Sequence, residues 1–225
     1  VGSEMCIRDR LGTDEGYANT YQAAWGSISS YYKENVDLTK IGTYKWNKTY
    51  DNTWSASTTN TTNLNKNFLT YLDGKNAKWK TMIADTTWHV GGMTSTNGYK
   101  SNAKTAYTYE VGANKDATTV NAKIGLMYLS EYYYGATPDY WMLQGFRYDN
   151  ATNDNWLYTG LYEWTISRDS DASDGAFAVR AGGDLIINPV DYSDGAAVRP
   201  SFSLSPSIKF TSGEGTAVNP IQIKL

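Results

Sequence analysis

Four short alternating runs between residues 161 and 204 constrain the fold more than any other part of the chain. Leu161–Ser167 places Tyr162, Trp164 and Ile166 on one face and Leu161, Glu163 and Thr165 on the other. That is the period of a strand with one strongly apolar side. Phe177 and Val179 repeat the pattern, then Leu185 and Ile187, then Val198, Phe202 and Leu204. Ala181-Gly182-Gly183-Asp184, between the second and third runs, reads as a hairpin turn. Two loops rich in Asp, Ser, Asn and Gly flank that hairpin, Arg168–Gly175 and Asn188–Gly195. One enters it and the other leaves it, so antiparallel pairing brings both to the same end. An apolar scaffold carrying exchangeable polar loops is how binding surfaces are usually built. The predicted recognition face is Asp169, Asp171, Asp174, Asn188, Asp191, Tyr192 and Asp194, mostly exposed and close together. Arg180 joins it from the outward side of the hairpin, near the turn end, as its most remote member.

The motifs within this stretch carry a resemblance. Trp164–Arg168 (WTISR), Ala176–Val179 (AFAV), a Gly-containing turn and Ala197–Phe202 (AVRPSF) resemble the C-terminal part of a group of bacterial exported proteins. These look like C-type-lectin-like domains. That superfamily also holds formylglycine-generating enzymes and the variable proteins of diversity-generating retroelements. Trp88–Gly92 (WHVGG), Lys123–Tyr128 (KIGLMY) and Asp154–Tyr162 (DNWLYTGLY) look like the same exported group, so the likeness runs from Ile41 to the end. It implies an α+β, C-type-lectin-like fold with short antiparallel sheets, one or two helices and long packed loops. Terminal strands pair in such folds, which the resemblance implies for Ile221–Ile223. It also implies an extracellular or cell-surface location on a bacterium, some relatives carrying pilin-type leaders. Diversification by a retroelement would rest on fold analogy alone.

The first ten residues, VGSEMCIRDR, match the translation of a transposon-end adapter used in sequencing libraries. Such residues are set aside from fold reasoning. The native part is then expected to begin near Leu11 as one domain over 11–225, with residues 1–10 making few long-range contacts. Cys6, the one cysteine, falls within the adapter-like stretch. That leaves no cysteine for disulfides, thiolate nucleophiles or Cys-ligated zinc. A net charge of −3 argues against a nucleic-acid partner, which calls for a basic face. No apolar run approaches the roughly 20 residues that span a bilayer as a helix. The chain has 19 Tyr and 8 Trp, with abundant Thr, Asn, Ser and Gly. This composition favours strands and polar loops, and Tyr and Trp supply amphipathic contact area.

Along the chain, Leu11–Lys40 reads mostly as loop with one short helical turn. Thr43–Trp54 reads as a strand or packed loop, and Ser55–Asn63 as a polar linker. Leu64, Phe68 and Leu72 share a helical face. Asn63 is a candidate N-cap, and Asp73-Gly74 should divide Leu64–Ala84 into two helical pieces. Thr86–Val90 reads as a strand stopped by Gly91-Gly92, Ser95–Ala103 as loop, and Thr105–Val111 as a polar-aromatic strand or extended stretch. Ala122–Leu129 is consistent with a buried strand. Ser130-Glu131 then reads as the cap and acidic first turn of a short helix through Tyr134. Gly135–Asn155 reads as a long packed loop of the kind that is usually functional or disordered. Ile208–Phe210 and Ile221–Ile223 read as strands around a Gly/Ser turn. The expected core sets Trp164, Ile166, Phe177, Val179, Val198 and Phe202 against Phe68, Leu72 and the Leu126 strand.

Candidate chemistry is sparse. Asp169, Asp171, Asp174, Asp191 and Asp194 either bind calcium through carboxylate oxygens or are solvated loop acids. The spacing lacks the Gly and terminal Glu of an EF-hand loop. It also lacks the Glu-Pro-Asn or Gln-Pro-Asp pattern of calcium-dependent lectins. His89 is the only histidine and has no G-x-S-x-G or comparable partner motif. Paired glycosidase carboxylates leave no sequence pattern, and the cysteines of formylglycine-type oxidation have no counterpart. Arg199 before Pro200 is read as the partner of a carboxylate, Glu163 being the candidate. The reading is a non-enzymatic, adhesin-like module that recognises a glycan or a surface protein through its polar loops, with no cofactor other than the calcium just weighed. The alternatives are a structural pilus or surface-layer subunit and a glycan hydrolase.

Overall fold

The computed structural model describes residues 8–26, 37–100, 102–141, 154–216 and 218–224. In its first half the elements run α1 (Arg8–Leu11), β1 (Tyr17–Thr20), α2 (Tyr21–Trp25), β2 (Gly42–Tyr44), a π-helical segment Thr59–Phe68 leading into α3 (Leu69–Lys75), α4 (Trp79–Met82), β3 (Thr86–His89), α5 (Ser95–Lys100) and α6 (Ala103–Glu110). Then come β4 (Thr119–Ala122), β5 (Ile124–Gly125), α7 (Leu129–Tyr134), β6 (Glu163–Arg168), β7 (Gly175–Val179), β8 (Leu185–Pro189), β9 (Ser201–Phe202), β10 (Lys209–Ser212) and β11 (Gln222–Lys224). The architecture is α+β. All five sheets are short and antiparallel, four of two strands and one of three, β6-β7-β8. Seven α-helices among the described residues replace the one or two expected.

The three-stranded sheet organises the interior, and both of its faces are covered. Residues 163–167 and 175–179 are all buried, which corrects the expectation of a single apolar side. Trp164, Ile166, Ala176 and Ala178 face a core containing Trp46, Phe68, Leu126 and Val198. Phe177, Val179 and Leu185 face a second core with Met93, Ala103, Leu129 and Tyr132. Leu72 and Phe202 pack against the first core only partly buried. Each fully buried large side chain contributes about 1.5–3 kcal/mol through burial. Two of the buried indoles are also satisfied: Trp164 Nε1 donates to the Tyr44 carbonyl at 2.7 Å and Trp46 Nε1 to that of Thr165 at 3.0 Å. Hydrogen-bonded indoles avoid the penalty of an orphaned buried donor.

Several elements differ from the sequence reading for identifiable reasons. Thr105–Val111, read as extended, lies mostly in α6. Asn102 accepts the Thr105 amide at 2.9 Å as its N-cap, and Ala103, Ala106 and Glu110 form a buried stripe. Ser95–Lys100, read as loop, is α5, whose Gly98 sits on the Phe177 ring; a Cβ there would lie 2.2 Å from the ring. Ser55–Asn63 is no linker, since Ser57, Thr58, Thr59, Asn60 and Asn63 are all buried. Asn63 lies inside the helix rather than at its start, and its amide reaches the Leu11 and Glu15 carbonyls. Residues 11–40 are more ordered than expected where described, through β1 and α2. α7 starts two residues earlier, with Tyr128 rather than Ser130 as the cap residue. β11 pairs with β10 and β1 with β2, so the N- and C-terminal strands do not pair with each other as the resemblance implied, and the C-terminal one forms a local ribbon.

Arg8–Arg10 are more engaged than an appended tag would be. The Arg8 amide donates to the Lys40 carbonyl at 2.8 Å, and the Arg10 guanidinium lies 5.3 Å from the Tyr71 ring centroid. Met5, Cys6 and Ile7 lie outside the described residues. The division of Leu64–Ala84 into two helical pieces holds, with the break after Lys75. The strand at Thr86–His89 and the hairpin turn before Asp184 hold as well.

Candidate functional site

The loops flanking the β7–β8 hairpin do meet at one end. The ladder closes on Gly175 opposite Pro189, and the Val190 amide extends it by donating to the Asp174 carbonyl at 2.7 Å. The 168–175 loop is held from below by Asn52, which is 3% exposed. Its side-chain amide donates to the carbonyls of Asp169 (2.8 Å), Ala172 (2.7 Å) and Gly175 (2.9 Å), and its backbone amide to Ser173 (2.7 Å). A second tether comes from Met93, whose amide donates to the Arg168 carbonyl while its carbonyl accepts from the Ser170 amide. This approach requires Gly92, where φ is +74° and a Cβ would stand 2.2 Å from the Arg168 carbonyl oxygen.

These tethers sort the predicted residues. Asp171 is exposed, and its carboxylate accepts from the Ser95 amide at 3.1 Å and hydroxyl at 3.3 Å. Asp174, Asp191, Tyr192 and Asp194 are half-buried. Neighbouring Asp174, and more weakly Asp191, raise the pKa of the Tyr50 phenol. The Tyr192 phenol is raised by burial and by neighbouring Asp194.

Two residues depart from the expectation of exposure. Asp169 is 6% exposed, because its segment bridges Met93 and its carboxylate accepts the Asp171 amide. Burial raises its pKa. Asn188 is 8% exposed, because its side chain turns inward to donate to the Tyr162 hydroxyl at 2.5 Å. Arg180 is exposed at the far turn, as expected, and is paired with Asp184 at 3.0 Å.

Sequence reasoning missed Asn52, Tyr50 and Trp25. Trp25 stacks on Tyr162 with ring centroids 4.4 Å apart, and lies 6.0 Å from Tyr192. Its only sequence signal was aromatic density without a period.

No three His, Cys, Asp or Glu side chains gather into a possible metal cluster among the described residues, so the loop acids do not form a calcium cage there. His89 is half-buried in β3 opposite Thr119, and its backbone amide donates to the Tyr128 hydroxyl. No helix among the described residues is long and apolar enough to cross a membrane.

Two further features lie away from the loops. Glu110 ends α6 fully buried. Its carboxylate accepts the Leu129 and Ser130 amides at 3.0 Å and the Ser167 hydroxyl at close range, thereby capping α7. Burial pushes its pKa up to about 7 against these bonds. Above it a groove of 590 Å³ opens between α6, α7 and residues 156–157. Tyr107 and Tyr134 contribute one aromatic wall, with ring centroids 6.3 Å apart. Trp156 contributes the rim, its backbone amide bonded to the Gly135 carbonyl and its side chain 75% exposed. Asn155 fixes that turn by donating to the Tyr132 carbonyl and accepting the Leu157 amide, both at 2.8 Å. The stretch 142–153 of the expected long loop lies outside the described residues.

No family model matches the chain, and neither curated proteins nor solved structures include one similar to it.

Proposed function

We propose that the chain is a non-enzymatic binding module of C-type-lectin-like type. It recognises a glycan or protein partner at the bacterial cell surface through the loop end of the β7–β8 hairpin. The observation that carries this reading is Asn52. One buried amide holds three carbonyls of the 168–175 loop, so the exposed acids ride on a pre-ordered backbone. Pre-organised loops lose less conformational entropy on binding. The hairpin with its paired loops and the motifs of 164–202 support the lectin-like assignment. Exposed and half-buried Tyr50, Asp171, Asp174, Asp191, Tyr192 and Asp194 supply the aromatic and polar mixture of such surfaces. A glycan and surface-protein array, probed with the parent and with Asp171, Asp191 and Asp194 all changed to Ala, tests the reading. Capture by the parent and its loss in the variant, at unchanged melting temperature, is the expected result. Equal capture by both would place recognition elsewhere.

A structural subunit is the second reading, and the C-terminal ribbon favours it. Phe210, Val218 and Ile221 are exposed there by 62%, 95% and 54%, an apolar surface that assembly would cover. In that case the array captures nothing, and the chain self-associates in a manner that Phe210→Ser abolishes.

A further inference from the structure

The ring-walled groove over α7 is remote from the loop acids, and its chemistry is different. Tyr107, Tyr128 and Tyr134 line it, Trp156 stands at its mouth, and Met127 and Leu157 complete a mainly apolar wall. Glu131 is the acidic side chain in the lining; its Oε2 accepts the Tyr128 amide at 2.8 Å, and the residue remains exposed. Among the described residues, no Lys, Arg or His lines it. Arg199, behind Met127 and Leu157, is already paired with Glu163 at 2.6 Å. The described lining therefore joins aromatic surface to a carboxylate with no basic side chain beside it.

That combination discriminates among ligand classes. An anion meets Glu131 and finds no cation in the lining. A saccharide needs several hydrogen-bonding groups for its hydroxyls, and the wall supplies few. A quaternary ammonium group needs none: its methyl groups pack on rings, and its charge is attracted by ring faces and by a carboxylate. The volume of 590 Å³ falls in the usual range of about 300–1,000 Å³ for small-molecule sites. From this charge complementarity we infer that the groove is a second binding site, for a soluble small molecule bearing a quaternary ammonium head. The site is independent of the loop-end reading and stands or falls separately.

The test is calorimetric titration of the full chain with choline, against its neutral carbon isostere 3,3-dimethylbutan-1-ol at matched ionic strength. Choline is expected to bind saturably and about ten-fold more tightly than the isostere, the scale of a cation–aromatic contribution. Trp156→Ala and Glu131→Gln each weaken choline several-fold. Trp156 is exposed and glutamine keeps an acceptor for the Tyr128 amide, so melting curves should stay close to the parent's. Equal affinity for the isostere, undiminished binding by Trp156→Ala, or no saturable choline binding at millimolar concentration would overturn the inference. So would a methyl glycoside binding the groove where choline does not.

Discussion

Glu163 and Arg199 form a buried ion pair, with Arg199 Nη2 2.6 Å from Glu163 Oε2 and side chains only 7% and 2% exposed for arginine and glutamate respectively. The guanidinium also donates to the Leu157 carbonyl at 3.0 Å, and Thr159 donates its hydroxyl to the other carboxylate oxygen at 2.8 Å. The pair ties β6 to the 197–202 segment and to the base of the Trp156 rim. Breaking such a pair on one side leaves a buried charge alone. Arg199→Ala should therefore cost about 3–5 kcal/mol. Replacing both partners with apolar residues of similar volume should cost much less. Urea denaturation of the two singles and the double measures the coupling. Additive losses would mean that the pair contributes nothing specific.

Trp164 is fully buried and its indole is bonded to Tyr44. Trp164→Ala should lose about 3–5 kcal/mol, enough to unfold a marginal domain. Thermal melts that shift by the equivalent of less than about 1 kcal/mol would contradict the position of β6 between the two cores.

Glu110 predicts a pH dependence with a defined sign. Its pKa is raised from 4.5 to about 7 in the folded chain, so between those values the folded state holds a proton that the unfolded state has released. Stability from this group is then greatest below pH 4.5, falls as pH rises toward 7, and is level above. Exposed Asp37 and Asp116, whose pKa values are lowered, act in the opposite direction. The quantity to read is therefore the difference between the parent and Glu110→Gln. That difference should change between pH 5 and 7; a constant offset across the range would show that Glu110 does not titrate there.

Asn52→Ala removes three side-chain hydrogen bonds from the 168–175 loop. The Gly175 carbonyl keeps the Asp169 amide as a donor, but those of Asp169 and Ala172 lose the Asn52 amide, and a loss of about 1–3 kcal/mol is expected. Amide exchange should speed up selectively at residues 169–175. Uniform acceleration across the chain would mean that Asn52 supports the whole fold rather than the loop.

The strands of the second half were legible because their alternation, their Gly-containing turn and their apolar content agree. The Glu163–Arg199 pair was legible because an arginine between a valine and a proline in an extended run calls for an acid. α6 was not: its inward stripe is Ala103, Ala106 and a buried glutamate, while Tyr107 is exposed and Tyr109 only partly buried, so the alternating aromatics mimic a strand. The buried polar stretch 57–63 was hidden for a related reason. Its Ser, Thr and Asn side chains satisfy backbone groups, as Ser57 does for the Asn60 amide and Asn60 for the Trp54 carbonyl, and hydropathy does not record such bonds. At the loop end, antiparallel pairing brings the two loops together as expected. The inward turns of Asp169 and Asn188 depend on Met93 and Tyr162, which are far away in sequence.

Recognition at the loop end is tested most directly by hydrogen exchange on the chain with and without a partner captured from the array. Protection is predicted at residues 170–174 and 191–195, with the sheet itself unchanged. Protection confined to the ribbon at 209–224, or to the groove around Trp156, with the loop amides exchanging as in the free chain, would contradict it.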